Sequence, residues 1–194
     1  MGIVFGRTGC AEPVYNVLAS RSSYEIREYE SFIVASVNMA KNNEDNSFNT
    51  LAKYIGVFGT PENQQKEPMA MTAPVLFENN KNGEEMSFVL PFHMQHVNEV
   101  PAPLNRNIKI DKQTKKVLAV KSFSGWVNKM VETQKVNDLL NRLKEDNVLT
   151  DANRNADNVH YMVAQFHPPF TIPWLRRNEI WLELNEDEVR PFKK

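Results

Sequence analysis

The sequence predicts an α+β fold built from two runs of strand, strand, helix, strand, strand. Three observations carry this. Short stretches alternate apolar and polar residues at strand period, two stretches alone show helical spacing, and "NEVPAPLNRN" separates two runs of the same element order. A βαβ parallel sheet would instead alternate strands and helices throughout.

Residues 1–22 show little periodicity and read as an N-terminal arm. "SYEIREY" places Tyr24 and Ile26 on one face and Glu25 and Arg27 on the other. After a Glu30–Ser31 turn, "FIVASVNM" is β-branched, so the two stretches are expected to pair. In "SFNTLAKYIGVFG", Phe48, Leu51, Ile55 and Phe58 recur at helical spacing, with Asp45 or Asn46 as N-cap and Gly59–Thr60–Pro61 as the stop. "PMAMTAPVLF" alternates Met69, Met71, Ala73, Val75 and Phe77, and Pro74 points to an edge strand or a bulge. "ENNKNGEE" turns the chain into "MSFVLPF", which closes the first run.

The second run opens with "NIKID" and "KVLAVKSFSG" as strands. Its helix puts Val136, Leu139, Leu140 and Leu143 on one stripe behind an Asn128 cap. "NVHYMVAQF" and "NEIWLEL" supply the last strands. One domain over 23–185 is expected, with repeats at about 23–92 and 107–185 and a tail over 186–194.

Among the 194 residues, 41% are hydrophobic and 24% charged, which suits a folded chain. The formal charge of −1 gives no overall basic field, so neither nucleic acid nor anionic lipid is implied. Cys10 stands alone, which excludes an intrachain disulfide and fits a reducing, cytoplasmic setting. Met1–Gly2 resembles a myristoylation start, but Gly6 occupies the position that wants Ser or Thr. No apolar run approaches the roughly 18 residues of a membrane helix, so no membrane insertion is expected.

The loop from His167 to Arg177 breaks the alternation. Pro168, Pro169 and Pro173 lack backbone donors, so this segment must stand off the sheet. Phe170, Trp174 and Leu175 beside Arg176 and Arg177 would offer apolar surface with cations at the rim, suited to a flat acidic ligand. Equally, the aromatics could cap the core while the arginines pair with local acids. His93 and His96 form an H-x-x-H pair without the flanking Glu or a Cys of a zinc site. No nucleotide, nucleophile or metalloprotease motif occurs; Glu25, Glu28 and Glu179 are carboxylates that folding could gather, but no spacing requires it, and no enzyme is expected.

"YEIREY", "FNTLAKYIGVFG", "MAMTAPV", "KSFSG" and "PPFTIPWLRRNEIWL" together resemble the SOUL/haem-binding protein family, in the family's order. The resemblance implies a distorted antiparallel β-barrel of two pseudo-symmetric halves, each with a helix. It also implies a non-catalytic binder of haem b or another tetrapyrrole, held non-covalently. Phe48, Leu51, Ala52, Ile55, Trp174 and Leu175 would wall the macrocycle, with Lys53, Arg176 and Arg177 meeting its propionates. Where some members carry an axial His this chain has Glu28, a donor unusual for haem iron, which leaves His167 as a substitute axial candidate. The lysine that others place after the Pro-Pro pair is missing, as is the methionine some have at Ala52. Two other classes remain: a protein-interaction module using the proline-aromatic loop or the leucines of the second helix toward a Bcl-2-type partner, and a GyrI-like binder or hydrolase of small hydrophobic molecules.

Overall fold

The computed structural model describes residues 9–39, 44–80, 83–151 and 154–193; the myristoylation-like start lies outside them. It is an α+β chain in two compact units. The first comprises residues 1–13 and 31–114, the second residues 14–30 and 115–194.

In the second unit, β1 (Tyr15–Ser20) pairs with β2 (Glu25–Tyr29), and the antiparallel sheet continues through β7 (Lys116–Phe123), β9 (Asn178–Glu183) and β8 (Tyr161–Gln165). Helix α2 (Lys129–Glu145) lies against β7 and β9. Its start is fixed as expected: the Asn128 side chain accepts the Val131 N–H at 3.0 Å, satisfying a donor left open in the first turn. Val136, Leu139, Leu140 and Leu143 are all buried, so this stripe faces core and offers no leucines to a partner groove. A short helix α3 (Glu186–Val189) follows β9, where the Glu188 carboxylate accepts both Arg154 Nη1 and the Asn185 N–H. The expected C-terminal tail is therefore tied down.

In the first unit, β3 (Phe32–Asn38) lies between β5 (Gly83–Val89) and β6 (Lys109–Gln113), and β4 (Val75–Asn80) pairs with β5, all antiparallel. The near-continuous burial of β3 explains its mostly apolar run, in which buried Ser36 shares a hydrogen bond with Ser87 Oγ at 2.7 Å. Helix α1 (Glu44–Ile55) lies on β3 and β5. Leu51, Ala52, Tyr54 and Ile55 enter a core with Ile33, Ala35, Phe88 and Leu90.

The element order strand, strand, helix, strand, strand does occur twice, as β2–β3–α1–β4–β5 and β6–β7–α2–β8–β9. The expected pairing of "SYEIREY" with "FIVASVNM" does not: β2 joins β1 and β7, whereas β3 joins β5 and β6. The Glu30–Ser31 turn is the point where the chain passes from one unit to the other, so adjacency in sequence does not become adjacency in the sheet. The N-terminal arm is also corrected, since Tyr15–Ser20 is a strand and Ala73 N–H donates to Ala11 O at 2.9 Å.

Helix α1 ends at Ile55, four positions before the expected stop at Gly59. Gly56 takes φ +89°, its N–H reaching Ala52 O and Lys53 O while Val57 N–H reaches Ala52 O. This left-handed C-terminal turn satisfies the last carbonyls, carries Phe58 out of the expected helical stripe and leaves it and Val57 in solvent. Asp45 and Asn46, expected as caps, lie inside the first turn. The strand expected over "PMAMTAPVLF" begins only at Val75, after the cis Ala73–Pro74 bond. No helix among the described residues is long and apolar enough to cross a membrane.

Candidate functional site

The residues singled out by sequence divide between the units. On α1, Phe48 is half-buried and meets Phe88 edge-on at 5.2 Å. Leu51, Ala52 and Ile55 are sealed beneath the helix in the first unit's core. Lys53 is exposed in the last turn, where its charge also complements the helix C-terminus. The outward apolar groups at this helix end are therefore Val57 and Phe58, of which Phe58 was expected in the stripe; Gly56 is the signal that it leaves it.

The loop after β8 belongs to the second unit and is bonded down along its length. Thr171 N–H reaches Pro168 O and Leu175 N–H reaches Ile172 O, closing a 3-10 turn over Pro173–Leu175. A second loop is tied to it: Gly125 N–H donates to Pro173 O at 2.9 Å, and Asn178 Nδ2 donates to Gly125 O at 3.1 Å.

Arg176 is the hub. It lies inside the loop rather than at its rim, with 8% of its surface exposed. Its Nε donates to Thr171 O at 2.8 Å, its Nη2 donates to Pro169 O, and its guanidinium stacks 3.8 Å above the Trp126 ring. Arg177 lies over Phe166 at 3.4 Å, with Nε 3.6 Å from Glu179 Oε1. His167 Nδ1 accepts the Arg177 N–H at 3.0 Å. These cations and this histidine build the loop, while Trp174 and Leu175 project from it, 73% and 41% exposed. Trp126 was missed by sequence reasoning because nothing in "SGWVN" signals that a distant arginine would hold its ring.

A separate buried polar cluster joins β2, β7 and β9. Glu179 accepts Arg27 Nη1 at 3.1 Å, Trp181 Nε1 at 2.7 Å and Ser122 Oγ at 3.3 Å. Arg27 also donates to Glu25 at 2.7 Å and to Tyr29 Oη at 3.1 Å, and lies 4.4 Å over Tyr15. Burial alone would lower the Arg27 pKa, but Glu179, Tyr29 and Glu25 together hold it above its ordinary range. Burial first, then Glu179, raises the Tyr29 hydroxyl above its ordinary value. Folding thus brings Glu25 and Glu179 to one guanidinium. Glu28 goes elsewhere, pairing with Lys115 at 3.0 Å.

His93 and His96 are exposed, and among the described residues no group of three or more His, Cys, Asp or Glu is placed to hold a metal. The Glu99 carboxylate instead accepts the backbone N–H groups of Gln95 and His96, which lowers its pKa.

Comparison with known proteins gives one family match. The profile described as SOUL heme-binding protein covers residues 10–183. No curated protein matches the chain. Among solved structures, the EcmrR C-terminal domain is 14% identical with a TM-score of 0.50, covering 89% of this chain and 98% of that one. A hydrolase from Listeria innocua is 8% identical with a TM-score of 0.54, covering 86% and 94%. An uncharacterized conserved protein from the same organism is 9% identical with a TM-score of 0.55, covering 86% and 93%. At these identities the likenesses concern the fold alone.

Proposed function

We propose that this chain, which belongs to the SOUL heme-binding protein family, binds haem b or a related tetrapyrrole non-covalently and carries it without chemical change. The observation that supports this reading is the bonded-down loop from His167 to Arg177, which turns Trp174 and Leu175 outward on a stiff support. A planar macrocycle needs apolar faces to lie against and fixed cations near its carboxylates. In the second unit Trp174 and Leu175 suit the first need; in the first unit Lys53, in the last turn of α1, suits the second, with Phe58 exposed just past the helix end.

The bound ring would supply a rigid conjugated face and two propionates. Contact through faces and rim suits these residues better than an axial bond. Glu28 is already paired with Lys115, and His167 directs Nδ1 to the Arg177 backbone. Arg176 has no part in this reading as a propionate partner, because it is buried with Nε and Nη2 turned to the Thr171 and Pro169 carbonyls.

Titration with haemin and with iron-free protoporphyrin tests the proposal, followed by the Soret band and tryptophan quenching. Both ligands are expected to saturate at one equivalent with similar affinity, and Lys53→Ala is expected to weaken both several-fold. Absence of saturable binding by either porphyrin would overturn the reading. Binding of haemin alone would replace it with one that requires an iron bond.

A further inference from the structure

Six large apolar residues of the second unit stand in solvent on two neighbouring segments. Trp126 and Met130 are 61% and 82% exposed at the start of α2, and Phe170, Ile172, Trp174 and Leu175 lie on the loop before β9. The two segments meet through the Gly125–Pro173 hydrogen bond and through the Trp126–Arg176 stack. From this arrangement we propose that the loop pair docks the protein peripherally on an anionic lipid bilayer, with Trp126, Phe170 and Trp174 entering the boundary between headgroups and acyl chains.

Three physical arguments point to a bilayer. Exposed apolar clusters of this kind mark contact surfaces, and tryptophan in particular settles at the lipid interface, where its ring is apolar and its N–H stays hydrated. Phe170 and Met130, 84% and 82% exposed on the two segments, project with little of either side chain covered by the protein. A fluid surface can close around separate points, whereas a rigid protein partner would need a groove for each.

The second argument is stiffness. Arg176 fixes the loop from within by binding the Pro169 and Thr171 carbonyls and the Trp126 ring together. Little conformational freedom is left to lose when the side chains enter lipid.

The third is charge. Although the whole chain carries −1, residues 121–135 contain Lys121, Lys129 and Lys135 against one acid, Glu132, while Arg176 is turned inward and Arg177 lies against Glu179. Lys129 Nζ is paired with Glu132 at 2.8 Å, and Lys135 lies 6.0 Å over the Phe123 ring at the base of the loops. Such a local excess of cations beside inserted aromatics favours phosphatidylserine over neutral lipid, and its contribution should fade with salt.

The test is flotation with vesicles of phosphatidylcholine, alone and mixed with phosphatidylserine, in the absence of porphyrin. Flotation is expected with the anionic vesicles, weakened by salt. It should come with a blue shift of tryptophan emission and quenching by brominated lipid. Trp181 is fully buried, so these signals report Trp126 and Trp174. The double variant Phe170→Ser/Trp174→Ser should partition at least about tenfold more weakly, while Lys53→Ala should leave partitioning unchanged. The quenching experiment uses the unaltered protein, so it stands even if the double variant folds poorly. No flotation with either vesicle, flotation without quenching, or a dimer in solution that dissociates in the double variant while vesicles go unbound would each overturn the proposal.

Discussion

Arg27 and Glu179, one on the second strand and one on the last, meet at 3.1 Å with both side chains almost sealed from water. Breaking such a pair strands a charge, and that asymmetry sets the first prediction. Arg27→Met should cost about 3–5 kcal/mol in urea unfolding, because Glu179 would keep Ser122 and Trp181 as donors but only the more distant Arg177, at 3.6 Å, as a cation. Glu179→Gln should cost less, since Arg27 retains Glu25. A loss under about 1 kcal/mol for Arg27→Met would mean that water reaches the site and the cluster is not dry.

Gly56 ends α1 in a left-handed conformation, and a Cβ there would come within 2.6 Å of Pro61 Cγ. Gly56→Ala therefore combines backbone strain with overlap and should destabilise by roughly 2 kcal/mol or more. The thermal midpoint would report it. Gly59→Ala makes a useful contrast, because Gly59 also has positive φ but nothing lies within 4 Å of its Cβ position, so its cost is backbone strain alone.

Tyr161 is pushed up to about 12, first by burial and then by its hydrogen bond to Glu132 at 2.5 Å. An acid whose pKa is raised on folding keeps its proton more tightly in the native state. Its contribution to stability is full below the ordinary tyrosine value of 10 and is lost as pH rises from there toward 12. Tyr161→Phe should flatten the loss of stability across that window. Tyr24 and Tyr29 shift the same way, burial being the first cause in each, so some alkaline loss would remain. An unchanged alkaline profile in Tyr161→Phe would show that Glu132 does not hold the hydroxyl in solution.

Leu139 is wholly buried, so Leu139→Glu should not act as a selective probe of a helix-in-groove partner. Burying a carboxylate among Val136, Leu140 and Leu143 should cost about 4 kcal/mol or more and abolish cooperative unfolding. Near-native circular dichroism and melting in this variant would instead mean that the stripe is accessible.

What could be read from sequence was what local physics decides. The α2 stripe and its Asn128 cap follow from helical period and one side-chain acceptor, and both are present. The doubled element order was legible for the same reason. Partnership was not: "SYEIREY" and "FIVASVNM" are each good strands, yet nothing local says that Ser31 opens a different unit. The YNVLAS strand was passed over because Ala19 and Ser20 dilute its alternation, and its register slips between Val17 and Ala19. At the candidate site, residue types were visible but their duties were not. An arginine beside a tryptophan reads as a rim cation until tertiary structure shows Arg176 turned inward onto carbonyls of its own loop.

The nesting of the chain has a consequence in time. The second unit is interrupted after Glu30 and resumes at Lys115, and those two residues lie side by side, Lys115 Nζ 3.0 Å from Glu30. On a ribosome, where chains emerge N-terminus first, β3 through β6 all become available to one another while β2 still lacks both β7 and β9. Arg27 must wait for Glu179, 152 residues further on, to be made. The inner segment can close early, whereas the sheet that holds β2 is complete only after β7, β9 and β8 have been made.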